Sequence, residues 1–151
     1  MGQDLEDLRI YTEAMALGEE VWSHVETWDA KAFRTIGDQV TRSCDSVAAN
    51  IAEGYGRYHH KERMRFCYIA RGSLRETKTW LTKAKNRKFI PAPEASKLID
   101  TCETLRYKID AYIKSIAKLL EAEKSSSQVH FPFPGVATPP FPPFPISPFP
   151  A

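Results

Sequence analysis

The sequence predicts an all-α protein: an antiparallel up-down-up-down four-helix bundle followed by a Pro/Phe-rich tail. Three observations predict it. Four long stretches carry apolar side chains at three- and four-residue steps, the repeat of an amphipathic helix. The connections between them are short, which makes consecutive helices antiparallel neighbours. No segment shows the apolar–polar alternation of a half-buried strand.

The first helix is expected from about Leu5 to Trp28, with Leu8, Tyr11, Met15, Gly18, Trp22, Val25 and Trp28 along one face. Asp29-Ala-Lys-Ala reads as a loop or short turn. The second helix runs from about Thr35 to Glu53 on a stripe of Ile36, Val40, Cys44, Val47 and Ile51. Gly54 and Gly56 end it, because glycine enters the left-handed C-cap conformation without steric cost.

The third helix is expected from about His60 to Asn86, with Phe66, Ala70, Leu74, Thr77, Leu81 and Ala84 on one side and Trp80 flanking it. Pro91 and Pro93 break the chain after it. The fourth runs from about Pro93 to Ala122 on Leu98, Cys102, Leu105, Ile109, Tyr112, Ile116 and Leu120. Proline suits a first helical turn, where its missing N–H has no partner to lose.

These elements make residues 1–124 the bundle and 125–151 the tail. Nine of the 11 prolines fall in the tail, and no Lys, Arg, Asp or Glu follows Lys124. Such a segment reads as extended, polyproline-II-like or disordered chain rather than a fifth helix. Its five phenylalanines are costly to leave in water. Phe141, Phe144 and Phe149 are therefore candidate protein-binding residues, Phe141 and Phe144 sharing one face of a three-residue repeat.

Bulk properties narrow the function. No run approaches the roughly 20 apolar residues of a membrane span, and the acidic N-terminus lacks the apolar core of a secretory signal. A cytoplasmic protein with no membrane partner is expected. Cys44, Cys67 and Cys102 are widely spaced at core positions, as buried free thiols would be. The net charge of +2 conceals a gradient, since residues 41–90 carry twelve bases and four acids while residues 1–40 carry three bases and nine acids. Only the middle third suits a polyanion.

Catalytic and metal chemistry finds no constellation. A carboxylate-bridged metal in a bundle needs Glu-x-x-His on two helices, and none occurs. Glu20 and His24 are four apart, but no second such pair exists. Ser73 follows Gly72 inside a helix rather than at a strand–turn–helix elbow, and Gly54-Tyr-Gly-Arg57 lacks the context of a phosphate loop. A protein with no cofactor, no metal and no enzymatic activity is expected.

Two groups of residues remain. Asn50, Glu53, Ser73 and Glu76 are polar residues within apolar helices, and such groups are costly unless paired. They suit a polar junction between the second and third helices. The other group is basic. Arg71, Arg75 and Lys78 fall at i, i+4 and i+7, continued by Arg63 and Arg57, with Lys83, Lys85, Arg87 and Lys88 beyond. Tyr55, Tyr58 and Tyr68 are interleaved and could stack on bases. The plain alternative is a solvated helix face, neutralised by the acidic first helix.

Ser46-Val-Ala-Ala-Asn-Ile-Ala-Glu-Gly-Tyr-Gly-Arg57 and Arg65-Phe-Cys-Tyr-Ile-Ala-Arg-Gly-Ser-Leu-Arg-Glu76 resemble the four-helix-bundle proteins encoded in 23S ribosomal RNA intervening sequences. Asp7-Leu-Arg-Ile-Tyr11 and Asp38-Gln-Val-Thr-Arg42 fit as well, so the likeness covers about residues 5–122. It departs at Ala48, where family members commonly have proline, and the tail lies outside the pattern. The resemblance implies a small bacterial cytosolic protein that forms a ring, typically a homopentamer. It also implies kinship with accessory proteins of diversity-generating retroelements, which bind nucleic acid and a reverse transcriptase. Asn50, Glu53, Gly54, Gly56, Gly72, Ser73 and Glu76 match the family motif and are expected to be architectural.

Two functions follow as expectations. The first is a non-enzymatic homo-oligomer that binds structured RNA or DNA through Arg57, Tyr58, Arg63, Arg71, Arg75 and Lys78. The second is a protein-interaction scaffold that works through the tail and binds no nucleic acid.

Overall fold

A computed structural model of the protein describes residues 4–127, and every regular element among them is helical. A 3-10 turn, Leu5–Asp7, leads into α1, Arg9–Val25. Helix α2 is continuous through three segments: Ala30–Ala32, a π-helical stretch Phe33–Gly37, and Asp38–Tyr55. Helix α3 spans His60–Asn86, and α4 spans Ala92–Ser127.

Side-chain contacts fix the direction of each pair. Ser43 and Ser46 on α2 meet Thr77 and Ser73 on α3. Arg71, Lys78 and Lys85 on α3 meet Asp110, Glu103 and Ser96 on α4. Glu13 and Glu20 on α1 meet Lys108 and Lys97 on α4. In each case the later residue of one helix faces the earlier residue of the other, so every pair is antiparallel. The bundle is up-down-up-down, as the repeats predict.

The core is a column of aliphatic side chains: Leu17 and Val21 from α1, Ile36, Val40 and Ile51 from α2, Leu74 and Leu81 from α3, and Leu98, Leu105, Ile109 and Ile116 from α4. Their removal from water is the main force holding the bundle. Cys44, Cys67 and Cys102 are buried among them as free thiols.

The face of α1 differs from the expected one. The buried row is Ile10, Ala14, Leu17, Gly18, Val21 and Val25, while Met15 and Trp22 are more than 40 % exposed. Helix α1 carries two adjacent apolar rows with the same spacing, and the compact aliphatic row turns inward. The aromatic row is left at the border. α1 also stops at Val25, and Trp28 packs its ring 5.8 Å from that of Phe89.

Asp29 begins α2 rather than sitting in a loop. Its Oδ1 accepts from the backbone N–H groups of Lys31 and Ala32 at 2.9 and 2.8 Å, a side-chain N-cap. The α2–α3 turn corrects a second expectation. Gly54 lies inside α2 and Gly56 caps it at φ −70°, so neither adopts the left-handed conformation. Gly54 is needed for contact instead. A Cβ there would stand 2.8 Å from Phe66 Cβ and 3.2 Å from the Arg63 carbonyl oxygen, so α3 crosses directly against its backbone.

The left-handed cap belongs to α3, at Lys88 with φ 61°. Phe89 N–H reaches the Ala84 carbonyl at 2.9 Å and Lys88 N–H reaches that of Lys85 at 3.1 Å. This is the Schellman arrangement. At the other end, α4 continues to Ser127, well past its last buried residue, Ile116. No helix among the described residues is long and apolar enough to cross a membrane.

Candidate nucleic-acid interface

A polar junction joins α2 and α3, but of the four residues expected in it only Asn50 and Ser73 take part, and small hydroxyls build most of it. Thr77 Oγ1 lies 3.0 Å from Ser43 Oγ and 2.8 Å from the Ser73 carbonyl oxygen. Ser73 Oγ lies 3.1 Å from Ser46 Oγ, and Asn50 Nδ2 donates to the Ser46 carbonyl and hydroxyl at 2.7 and 2.9 Å. Thr77 is fully buried and Ser43 nearly so. The chain of hydroxyls satisfies polar groups that burial would otherwise penalise. It joins α2 to α3 at one register.

The remaining motif residues divide around this seam. Glu53 pairs with Arg57 one turn on, at the surface. Glu76 Oε1 accepts from Trp80 Nε1 at 3.2 Å, also at the surface. Gly54 sits in the α2–α3 contact and Gly56 at the α2 cap. Gly72 lies on the opposite side of α3, where an added Cβ would meet nothing within 4 Å. Ser43 is not named from sequence, Ser46 only as the start of the family motif, and Thr77 only as a residue of the core face. Their signal was a row of small polar residues at three- and four-residue steps facing the partner helix.

The basic residues named from sequence are not one surface. Arg71 Nη1 donates to Asp110 Oδ1 at 2.7 Å, and Lys78 Nζ donates to Glu103 Oε1 at 2.6 Å. Arg106 joins the two acids, donating to Glu103 Oε2 at 3.1 Å and Asp110 Oδ2 at 3.0 Å. The result is a ladder of alternating charge along the α3–α4 seam. Hydrogen bonds from Lys78, then from Arg106, hold the Glu103 carboxyl below its ordinary range. The Arg106 guanidinium is correspondingly held more firmly protonated by Glu103.

Arg57 is bound to Glu53 and lies over the Phe66 ring at 5.3 Å. Arg63 is half-buried over the Tyr55 ring at 5.4 Å, with Nη2 3.4 Å from the Tyr55 carbonyl oxygen. Of the five cations named, Arg75 alone is exposed with no carboxylate in ion-pair distance among the described residues.

A different row emerges on the outer face of α3. Lys61, Arg65, Tyr68, Gly72, Arg75, Thr79 and Lys83 follow one another at steps of three or four, and all are exposed. No described carboxylate pairs with Lys61, Arg65, Arg75 or Lys83. Arg71 covers one face of Tyr68 at 4.9 Å, leaving the ring 45 % exposed, and Lys83 stands 5.3 Å over Trp80. Tyr58, in the α2–α3 turn, is 92 % exposed. The row spans roughly 33 Å of helix from Lys61 to Lys83, at 1.5 Å per residue step. Glu62 and Glu76 flank it.

The thiols offer no reactive group. Burial, before any neighbouring charge, pushes Cys67 up to about 11 and Cys102 up to about 12, and raises Cys44 as well. All three stay protonated and packed. Among the described residues no group of three or more His, Cys, Asp or Glu side chains could hold a metal. Phe141, Phe144 and Phe149 lie outside the described residues.

Residues 6–111 match the family model described as 23S rRNA-intervening sequence protein. The chain belongs to that family. Within this 23S rRNA-intervening sequence family match lie the α2–α3 seam, the Gly54 contact and the outer row of α3. A solved structure with the same fold is a protein of unknown function from the S23 ribosomal protein family of Bacteroides thetaiotaomicron. It is 18% identical with a TM-score of 0.64, over 70% of this chain and 98% of that one. At that identity the likeness concerns the fold. No curated protein matches the chain.

Proposed function

We propose that this family member is a non-enzymatic, homo-oligomeric bundle that binds structured RNA or DNA through the outer face of α3. The observation that carries the reading is the unpaired row Lys61, Arg65, Arg75 and Lys83 on one exposed face. Cations with no carboxylate partner among the described residues keep their charge available for phosphates, and each neutralised phosphate releases counterions. Tyr68 and Tyr58 add exposed rings for stacking on unpaired bases. Arg57, Arg71 and Lys78 contribute mainly to the bundle, because their charge is already met by carboxylates.

Exposed Met15 and Trp22 on α1 support self-association, since large apolar side chains together at a surface favour a covering partner. A ring of five and a reverse-transcriptase partner rest on the family resemblance. The mass of the native protein tests the first, and co-purification tests the second.

The test of the binding face is a titration of a structured RNA hairpin and a DNA duplex at two salt concentrations. The Lys61→Ala/Arg65→Ala/Arg75→Ala/Lys83→Ala variant is expected to lose affinity and to flatten the salt dependence by roughly 0.9 in slope per lost duplex contact. Unchanged affinity and slope would remove this face as the site.

A further inference from the structure

Lys61, Met64, Arg65, Tyr68, Ile69 and Leu120 line an open, mainly apolar groove of about 510 Å³ where the start of α3 meets the end of α4. Ile69, like Tyr68, is more than 40 % exposed, an uncommon setting for an aliphatic side chain on a helix this polar. Among the described residues nothing covers it. The cations of Lys61 and Arg65 stand at its rim.

The chain itself supplies a fitting occupant. Past Ile116 the last turns of α4 bury no residue, and His60 Nε2 holds them beside α3 through Glu123 Oε1 at 3.1 Å. Helix α4 is described as far as Ser127, at the same end of the bundle as the groove, and residues 128–151 follow it in sequence. Leu120 lies about 10 Å back along α4, at 1.5 Å per residue. Phe131 and Phe133 follow Ser127 by four and six residues, which gives reaches of up to ~13 and ~20 Å in extended chain. After a reversal beyond Ser127 both rings are within reach of the groove.

Local chemistry agrees. Pro132 and Pro134 bias each preceding phenylalanine toward extended backbone, in which residues two apart share a face. The prolines also bring no N–H to leave unsatisfied against an apolar floor. Residues 128–151 contain no Asp, Glu, Lys or Arg, so the cationic rim meets no like charge and can lie over the rings.

We propose that the tail of the same chain folds back and seats Phe131 and Phe133 in this groove against Met64, Ile69 and Leu120. The seat overlaps the outer face of α3 at Lys61, Arg65 and Tyr68, so the tail and a bound nucleic acid exclude one another. That consequence alone rests on the function proposed above.

The experiment uses the full chain with a nitroxide at Ala137→Cys, ten residues along the sequence from Ser127. Because the native thiols are buried, the label goes to the introduced cysteine. Amide signals of residues 64–72 on α3 are expected to broaden away, and to return in the Phe131→Ser/Phe133→Ser variant. Retained signals in the labelled chain, or broadening that survives the double substitution, would overturn the proposal. A mixture of labelled unenriched chain and unlabelled isotope-enriched chain is expected to leave those signals sharp. Broadening in the mixture would assign the groove to a second copy's tail and overturn the same-chain seat. The readout needs no nucleic acid, so it stands apart from the binding titration.

Discussion

Arg71 on α3 and Asp110 on α4 are joined at 2.7 Å, and the same carboxylate holds Arg106 at 3.0 Å through its other oxygen. One acid thus serves two guanidinium groups in a half-buried seam. The two partners are unequal as a result. Arg71→Ala leaves Asp110 paired with Arg106, whereas Asp110→Ala leaves Arg71 without its acid and Arg106 with Glu103 alone. We expect Arg71→Ala to cost about 1 kcal/mol and Asp110→Ala about 2 kcal/mol, in the range of charged hydrogen bonds and partly exposed ion pairs. Urea midpoints of the two variants check the order, which a larger loss for Arg71→Ala would contradict. RNA affinity should be unchanged by Arg71→Ala, because that charge is already spent on α4.

The same ladder sets an acid limit. Lys78 first, and Arg106 second, hold the Glu103 carboxyl below its ordinary range. A lowered folded-state value means that Glu103 releases its proton more readily in the native bundle than in the unfolded chain. Its contribution is therefore fully present above the unfolded value, about 4.3, and disappears as pH falls through the lowered folded value. Stability measured by urea midpoint between pH 5 and pH 2 should fall less steeply in Glu103→Gln than in the parent chain. Parallel curves would show that the ladder contributes nothing to the acid limit.

Much of the fold was legible in the sequence because helical period and breakers act locally. The α2 stripe is buried as read, and so are the α3 and α4 stripes except at Phe66, Tyr112 and Leu120, which are half-buried, while Ile113 next to Tyr112 enters the core. What failed depended on neighbours. Helix α1 offers two apolar rows, and only packing against α2 and α4 selects the one with Leu17 and Val21. Gly54 carried the same letter whether it capped a helix or admitted Phe66, and only the crossing point of α3 distinguishes these roles. Asp29 is a residue type that favours the N-cap, but the π-helical stretch Phe33–Gly37 interrupts the helical period between it and the α2 stripe. The basic stripe failed for a similar reason. Arg71 and Lys78 read as surface charge until α4 places Asp110 and Glu103 opposite them. Nothing in the α3 segment itself encodes that pairing.

Gly54 and Gly72 show how one residue type serves opposite purposes on this helix pair. At Gly54 a methyl group would meet Phe66 Cβ at 2.8 Å and the Arg63 carbonyl at 3.2 Å, contacts that only a backbone shift can relieve. Gly54→Ala should cost about 1–3 kcal/mol, the range for an overpacked contact. At Gly72 the methyl group would meet nothing within 4 Å, and alanine restricts the unfolded chain more than glycine does. Gly72→Ala should stabilise the free protein by about 0.5–1 kcal/mol. Nothing among the described residues requires a glycine there, yet it sits midway along the row from Lys61 to Lys83. A surface that admits a phosphate backbone closely has a use for a missing side chain, so the same alanine should weaken RNA binding while raising the thermal midpoint. Measuring both on one variant decides the matter: a stabilised protein with unaltered RNA affinity would leave Gly72 without a role in binding.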